Sequence, residues 1–163
     1  MKRNDQGFTI IEIVVVLVLV SIIATTVFTR SITTDQINMS AQTEVVKSHI
    51  RYAQSQAMKR SENWGIFGNG SEYWLFGPWV SPSEVSSNPV RLPGQNSDKI
   101  SMSELGLDIN PPFIIYFDGF GRPFQFIGGP FVVDLTITIE KLPDRAQSRS
   151  FVITAETGLI TTP

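Results

Sequence analysis

Residues Phe8 to Phe28 read FTIIEIVVVLVLVSIIATTVF, and this run limits the chain more than any other feature. As a helix of about 21 residues it rises about 31 Å, matching the hydrocarbon thickness of a bilayer. The β-branched residues Ile10, Ile11, Ile13, Val14, Val15 and Val16 would also suit a buried strand. Strands, however, seldom exceed about ten residues, and no turn residue interrupts this one. The run therefore predicts a membrane-spanning helix. Lys2 and Arg3 precede it, so the positive-inside rule keeps the N-terminus cytoplasmic and sends the rest across, with Arg30 opposing only weakly. One ionisable residue, Glu12, interrupts the apolar run. A carboxylate there costs roughly 3 kcal/mol or more unless it is paired or reaches the headgroups. A cleaved secretory signal, cut near Ser21 or between Ala24 and Thr26, is a competing reading. It leaves Glu12 without a purpose.

The segment Gly7-Phe8-Thr9-Ile10-Ile11-Glu12 resembles the type IV prepilin signature: a glycine, a phenylalanine, and a glutamate at the fifth mature position. The resemblance implies that a prepilin peptidase cuts between Gly7 and Phe8 on the cytoplasmic side, that the new amine of Phe8 is N-methylated, and that the apolar run is retained. It also implies the partners: the peptidase and N-methyltransferase, other pilins or pseudopilins, and inner-membrane lipid. A glycine before the scissile bond offers permissive backbone. Glu12, one turn beyond Phe8, could pair in a filament with the Phe8 amine of a neighbour. Snorkelling toward the headgroups is the simpler alternative.

From Phe8 to Gly65 there is no Pro or Gly, so nothing obliges the helix to stop at the membrane. Ile37, Ala41, Val45, His49, Ala53 and Ala57, joined by Val46 and Ile50, suggest an apolar stripe that faces a sheet. Lys47, Arg51, Lys59 and Arg60 read as a solvated face, and His49, the only histidine, as a solvent-facing one. Beyond Asn63 the pattern turns to short strands. Trp64–Phe67 and Glu72–Phe76 form a hairpin, Gly77 to Ser97 a long loop with an extended piece at Val90–Leu92, and Lys99–Met102 a weak strand. A loop through Pro111 and Pro112 precedes strand Phe113–Phe117; a turn then leads to Phe124–Phe126, and Gly128-Gly129-Pro130 breaks the chain. Phe131–Glu140 alternates with Val133, Leu135, Ile137 and Ile139 inward, and Ser150–Thr154 with Leu159–Thr161 closes as a hairpin.

The expected fold is α+β and type IV pilin-like: a long N-terminal helix packed on a small antiparallel β-sheet. Its expected segments are a leader at 1–7, a membrane or filament-core helix at 8–28, an amphipathic continuation at 29–62 and an extracytoplasmic β domain at 63–163. The stretch Arg51 to Arg60 and the closing Thr157-Gly158-Leu159-Ile160 are similar to minor pseudopilins of the type II secretion H kind and to minor subunits of mannose-sensitive haemagglutinin pili. Many major pilins close with a cysteine pair; this chain has no cysteine, which favours a minor subunit.

Catalysis and cofactors are not expected. With one histidine and no cysteine, neither a triad base nor a thiolate metal site is available. Gly119-Phe120-Gly121 and Gly128-Gly129 lack the spacing and lysine of phosphate loops. Asp108, Asp118, Asp134 and Asp144 are too scattered for a calcium loop. The formal net charge of −2 gives no global attraction to nucleic acid. Arg122, Lys141, Arg145 and Arg149 could form a local basic patch, which is the basis of the alternative reading, a DNA-binding minor pilin of an uptake pilus. Glu140, Asp144 and Glu156 lie among them and favour an ordinary solvated surface. Trp74, Trp79, Phe120 and Phe124 are assigned to the core rather than to an interaction face.

Overall fold

The computed structural model describes residues 9–78, 85, 88–125, 129–131 and 133–163. The chain divides into two compact units, Met1–Asn38 and Met39–Pro163. A single helix, α1 (Ile10–Arg60), contributes to both, as the absence of helix breakers predicts. It ends where Ser61 turns left-handed, with φ 55°. The Glu62 N–H then reaches back to the Ala57 carbonyl at 3.4 Å, a terminating bond that usually recruits glycine at the position Ser61 holds.

Within the second unit the helix buries Met39, Thr43, Val46, Ile50, Ala53 and Ala57. These positions alternate steps of four and three, and so track a 3.6-residue turn. The expected stripe stepped by four throughout, which advances about 400° per step and rotates off any fixed face. Its early members show this drift: Ile37 and Ala41 are exposed and Val45 is half-buried. Two further assignments are corrected. Lys47 and His49 are buried rather than solvated.

The β strands are β1 (Trp64–Gly68), β2 (Glu72–Phe76), β3 (Ile100–Ser101), β4 (Leu107–Asn110), β5 (Phe113–Phe117), β6 (Pro123–Gln125), β7 (Gly129–Pro130), β8 (Leu135–Lys141), β9 (Ser148–Ile153) and β10 (Ile160–Thr161). They form two antiparallel sheets where one small sheet was expected. One is six-stranded, in the order β3-β2-β1-β5-β6-β7; the other is four-stranded, β10-β9-β8-β4. The β1–β2 hairpin and β5 lie where the sequence placed them. The weak strand shrinks to β3, and Val90 survives only as a bridge to Leu75. β4 was not foreseen. It pairs β8 from Leu107↔Lys141 to Asn110↔Thr138, a long-range partnership that leaves no local signature. β7 forms where a break was expected. Strand β8 starts at Leu135, leaving Val133 72% exposed; Phe126 and Gly128 lie outside the described residues.

The core faces of both sheets meet the helix stripe in one cluster that includes Ile66, Tyr73, Leu75, Ile115, Phe117, Ile137, Ile139, Phe151 and Ile153. Polar contacts pin the helix to the later strands. Lys47 Nζ donates to Thr162 Oγ1 at 2.8 Å, and Gln54 Nε2 donates to the carbonyls of Gly121 at 2.8 Å and Thr157 at 3.0 Å. Gly121 is favoured by its left-handed backbone (φ +79°), and a Cβ there would also displace the flexible end of Met58, whose Sδ lies 2.8 Å from that position.

Candidate functional site

The processing pair Gly7 and Phe8 lies outside the described residues, which begin at Thr9. From there the start of α1 is well defined. Thr9 is its N-cap: Thr9 Oγ1 accepts the Glu12 N–H at 3.3 Å, and the Thr9 carbonyl accepts the N–H groups of Glu12 at 3.1 Å and Ile13 at 3.3 Å. Thr9-x-x-Glu12 is thus half of a capping box, a signal present in the sequence and overlooked there. It adds a third reason for Glu12: a carboxylate in the first helical turn sits at the positive end of the helix dipole.

After Glu12 the helix is apolar on every side. Ile10, Ile11, Ile13, Val14, Val15, Val16, Leu17, Val18, Leu19, Val20, Ile22 and Ile23 are all at least half exposed. The interspersed hydroxyls are satisfied by the helix itself: Ser21 Oγ donates to the Val18 carbonyl at 2.7 Å and Thr25 Oγ1 to the Ser21 carbonyl at 2.8 Å. Glu12, Ile13, Val16 and Leu17 line an open surface concavity of about 300 Å³ whose exposed wall is entirely apolar. A helix apolar all round is stable only where water is excluded. Among the described residues no helix is long and apolar enough to cross a membrane; side chains of the apolar run are described from Thr9 to Thr25, short of both its ends.

The four cations proposed for DNA are divided between the sheets. Arg122 lies in the β5–β6 turn, its guanidinium 2.7 Å from Asp118 Oδ2. Burial alone would raise the Asp118 carboxyl, but the backbone N–H groups of Arg122 and Phe120 and the Arg122 side chain outweigh it and lower it. Lys141, Arg145 and Arg149 belong to the β8–β9 hairpin. Arg145 pairs with Asp108 at 3.0 Å and Glu140 at 3.3 Å. Those two carboxylates face each other directly across β4 and β8, so Arg145 holds apart a like-charge pair that would otherwise repel. Of the aromatics assigned to the core, Trp74 is buried and Phe124 half-buried, whereas Phe120 is 83% exposed; Trp79 lies outside the described residues.

A long N-terminal helix packed on antiparallel sheets is the layout of a type IV pilin-like fold. The profile of the prokaryotic N-terminal methylation motif matches residues 2–28. Among solved structures, the type IV minor pilin FimU of Pseudomonas aeruginosa strain PAO1 is similar in fold. Its TM-score is 0.53 at 15% identity, over 80% of this chain and 91% of that one. No curated protein matches.

Proposed function

We propose that this chain is a minor structural subunit of a type IV pilus or type II secretion pseudopilus. In this reading it is cut between Gly7 and Phe8 by prepilin peptidase, methylated at Phe8, and assembled from the inner membrane, with its N-terminus cytoplasmic and its β domain extracytoplasmic. Its role is structural and not catalytic. The supporting observation is the helix surface from Ile10 to Ile23, apolar on all sides around one carboxylate. Lipid before assembly and neighbouring helices after it are the two surroundings that suit such a surface. The concavity beside Glu12 is walled by apolar surface and suits an apolar side chain of a neighbouring helix, while the Glu12 carboxylate stays on the exposed helix surface.

The DNA-binding reading takes second place because Arg122 and Arg145 are engaged in ion pairs. Intact mass of the chain from cells decides the main proposal: mature protein should begin at a methylated Phe8, and Gly7 replaced by a bulky residue should leave the leader attached. Mature protein beginning after Ala24 would refute it. Salt-sensitive retention of the chain on duplex DNA would restore the alternative.

A further inference from the structure

The tip of the β1–β2 hairpin, Asn69-Gly70-Ser71, is clamped through its backbone. The Asn69 N–H donates to the Glu72 carbonyl at 3.0 Å, the Gly70 carbonyl accepts the Ile109 N–H of β4 at 2.9 Å, and the Ser71 carbonyl accepts the Met102 N–H at 2.7 Å. Of the chain's asparagines only Asn69 precedes a glycine, and glycine leaves the backbone nitrogen beside the side-chain amide unhindered. Gly70 is buried, with φ +106°, yet among the described residues its N–H meets no acceptor. Buried backbone N–H groups without one are rare.

The Asn69 side chain supplies the matching electrophile. Its Oδ1 accepts the Glu72 N–H at 2.8 Å and the Ser71 hydroxyl at 3.4 Å, and both donors draw electron density from Cγ. Its Nδ2 donates to no described residue, and the residue is exposed, so the amide nitrogen faces water. Donors aimed at the oxygen where charge develops stabilise a tetrahedral intermediate. A backbone already fixed removes part of the entropy cost of ring closure. An unpaired nitrogen, a polarised carbonyl and a solvated leaving group thus stand on adjacent residues of one rigid turn.

We propose that Asn69 is a self-modifying site, converting to aspartate through a cyclic imide formed with Gly70. The Gly70 nitrogen bonds to Asn69 Cγ, the Cγ–Nδ2 bond breaks, and the Gly70 proton passes through water to the departing ammonia. A water molecule then opens the imide. Because the Glu72 N–H and the Ser71 hydroxyl polarise the Cγ carbonyl, water adds there and restores the ordinary peptide link. Opening at the other carbonyl gives isoaspartate, which lengthens the backbone and breaks the Gly70–Ile109 hydrogen bond. The product adds a negative charge to a tip that already carries Glu72 and has Asp108 Oδ1 beside Gly70.

The test incubates purified full chain in mild detergent at neutral pH, folded and in urea, and follows its peptides by mass spectrometry with fragmentation that separates aspartate from isoaspartate. Exposed Asn96, which precedes Ser97, is the internal control. The folded chain should convert Asn69 faster than Asn96, no more slowly than the unfolded chain does, and mainly to aspartate, whereas the unfolded chain should give mainly isoaspartate. Ser71→Ala should slow the folded rate about threefold, the effect of one weak hydrogen bond to the developing oxyanion, and leave the unfolded rate unchanged. Conversion of Asn69 that is slower folded than unfolded, or no faster than that of Asn96, overturns the proposal. So does a folded product that is mainly isoaspartate, or a folded rate indifferent to Ser71→Ala.

Discussion

Lys47 lies on the buried side of α1, its side chain 6% exposed, with Nζ 2.7 Å from Glu44 Oε1 and 2.8 Å from Thr162 Oγ1. Its ion-pair partner is 61% exposed, and a pair with one solvated member contributes only about 0.2–1 kcal/mol. The stem is a different matter. Lys47→Ala removes three buried methylenes at about 0.8 kcal/mol each, so about 2.4 kcal/mol is lost before any cavity penalty. Lys47→Met keeps most of that volume and removes the cost of burying an ammonium, while Glu44 and Thr162 turn to water. It should fall within about 1 kcal/mol of the parent. Urea unfolding of the full chain in mild detergent, followed by the fluorescence of buried Trp64 and Trp74, reads the difference. With a slope of roughly 1–3 kcal/mol/M, the Ala variant should unfold about 1 M earlier than the Met variant. Equal losses in both would show that the charge, and not the packed stem, holds the helix to the C-terminal strand, and would refute the reasoning.

Burial holds His49 below its ordinary value, and its Nδ1 lies 3.0 Å from the Tyr73 hydroxyl. Because the folded value is depressed below the unfolded one near 6.5, this contribution is complete above about pH 6.5 and is lost as pH falls through the folded value. Urea midpoints should therefore drop on acidification, and the drop should shrink in His49→Phe. Tyr73→Phe leaves the buried imidazole without its partner and should cost about 1–3 kcal/mol at neutral pH by the same assay. Ser61→Gly removes the penalty of a left-handed serine and should raise the thermal midpoint, a gain of up to about 1 kcal/mol. Gly121→Ala combines a left-handed backbone with a Cβ 2.8 Å from Met58 Sδ and should destabilise by about 1–2 kcal/mol. A variant as stable as the parent would mean that neither the left-handed backbone at 121 nor the displacement of Met58 carries a cost.

The long N-terminal helix was legible in the sequence because its signals are local. A solvent boundary is written in consecutive residues: the apolar run with Glu12 near its start specifies a helix that avoids water, and the freedom from Pro and Gly up to Gly65 lets that helix continue. Hairpins whose partners are adjacent in sequence, β1 with β2 and the closing β9 with β10, were equally readable. Partnerships across long stretches of chain were not. β4 exists only because β8 arrives beside it, and Lys47 finds a partner in Thr162 only because that residue, far along the chain, comes to rest against it. Phe120 shows the same limit from the other side. As a phenylalanine it reads as core, and only the tertiary packing of its flanking glycines on the helix end turns it outward. Sequence alone determined what must leave water and which segments are stiff; the folded chain decided which residues meet, because contact between distant positions depends on how every intervening turn is resolved.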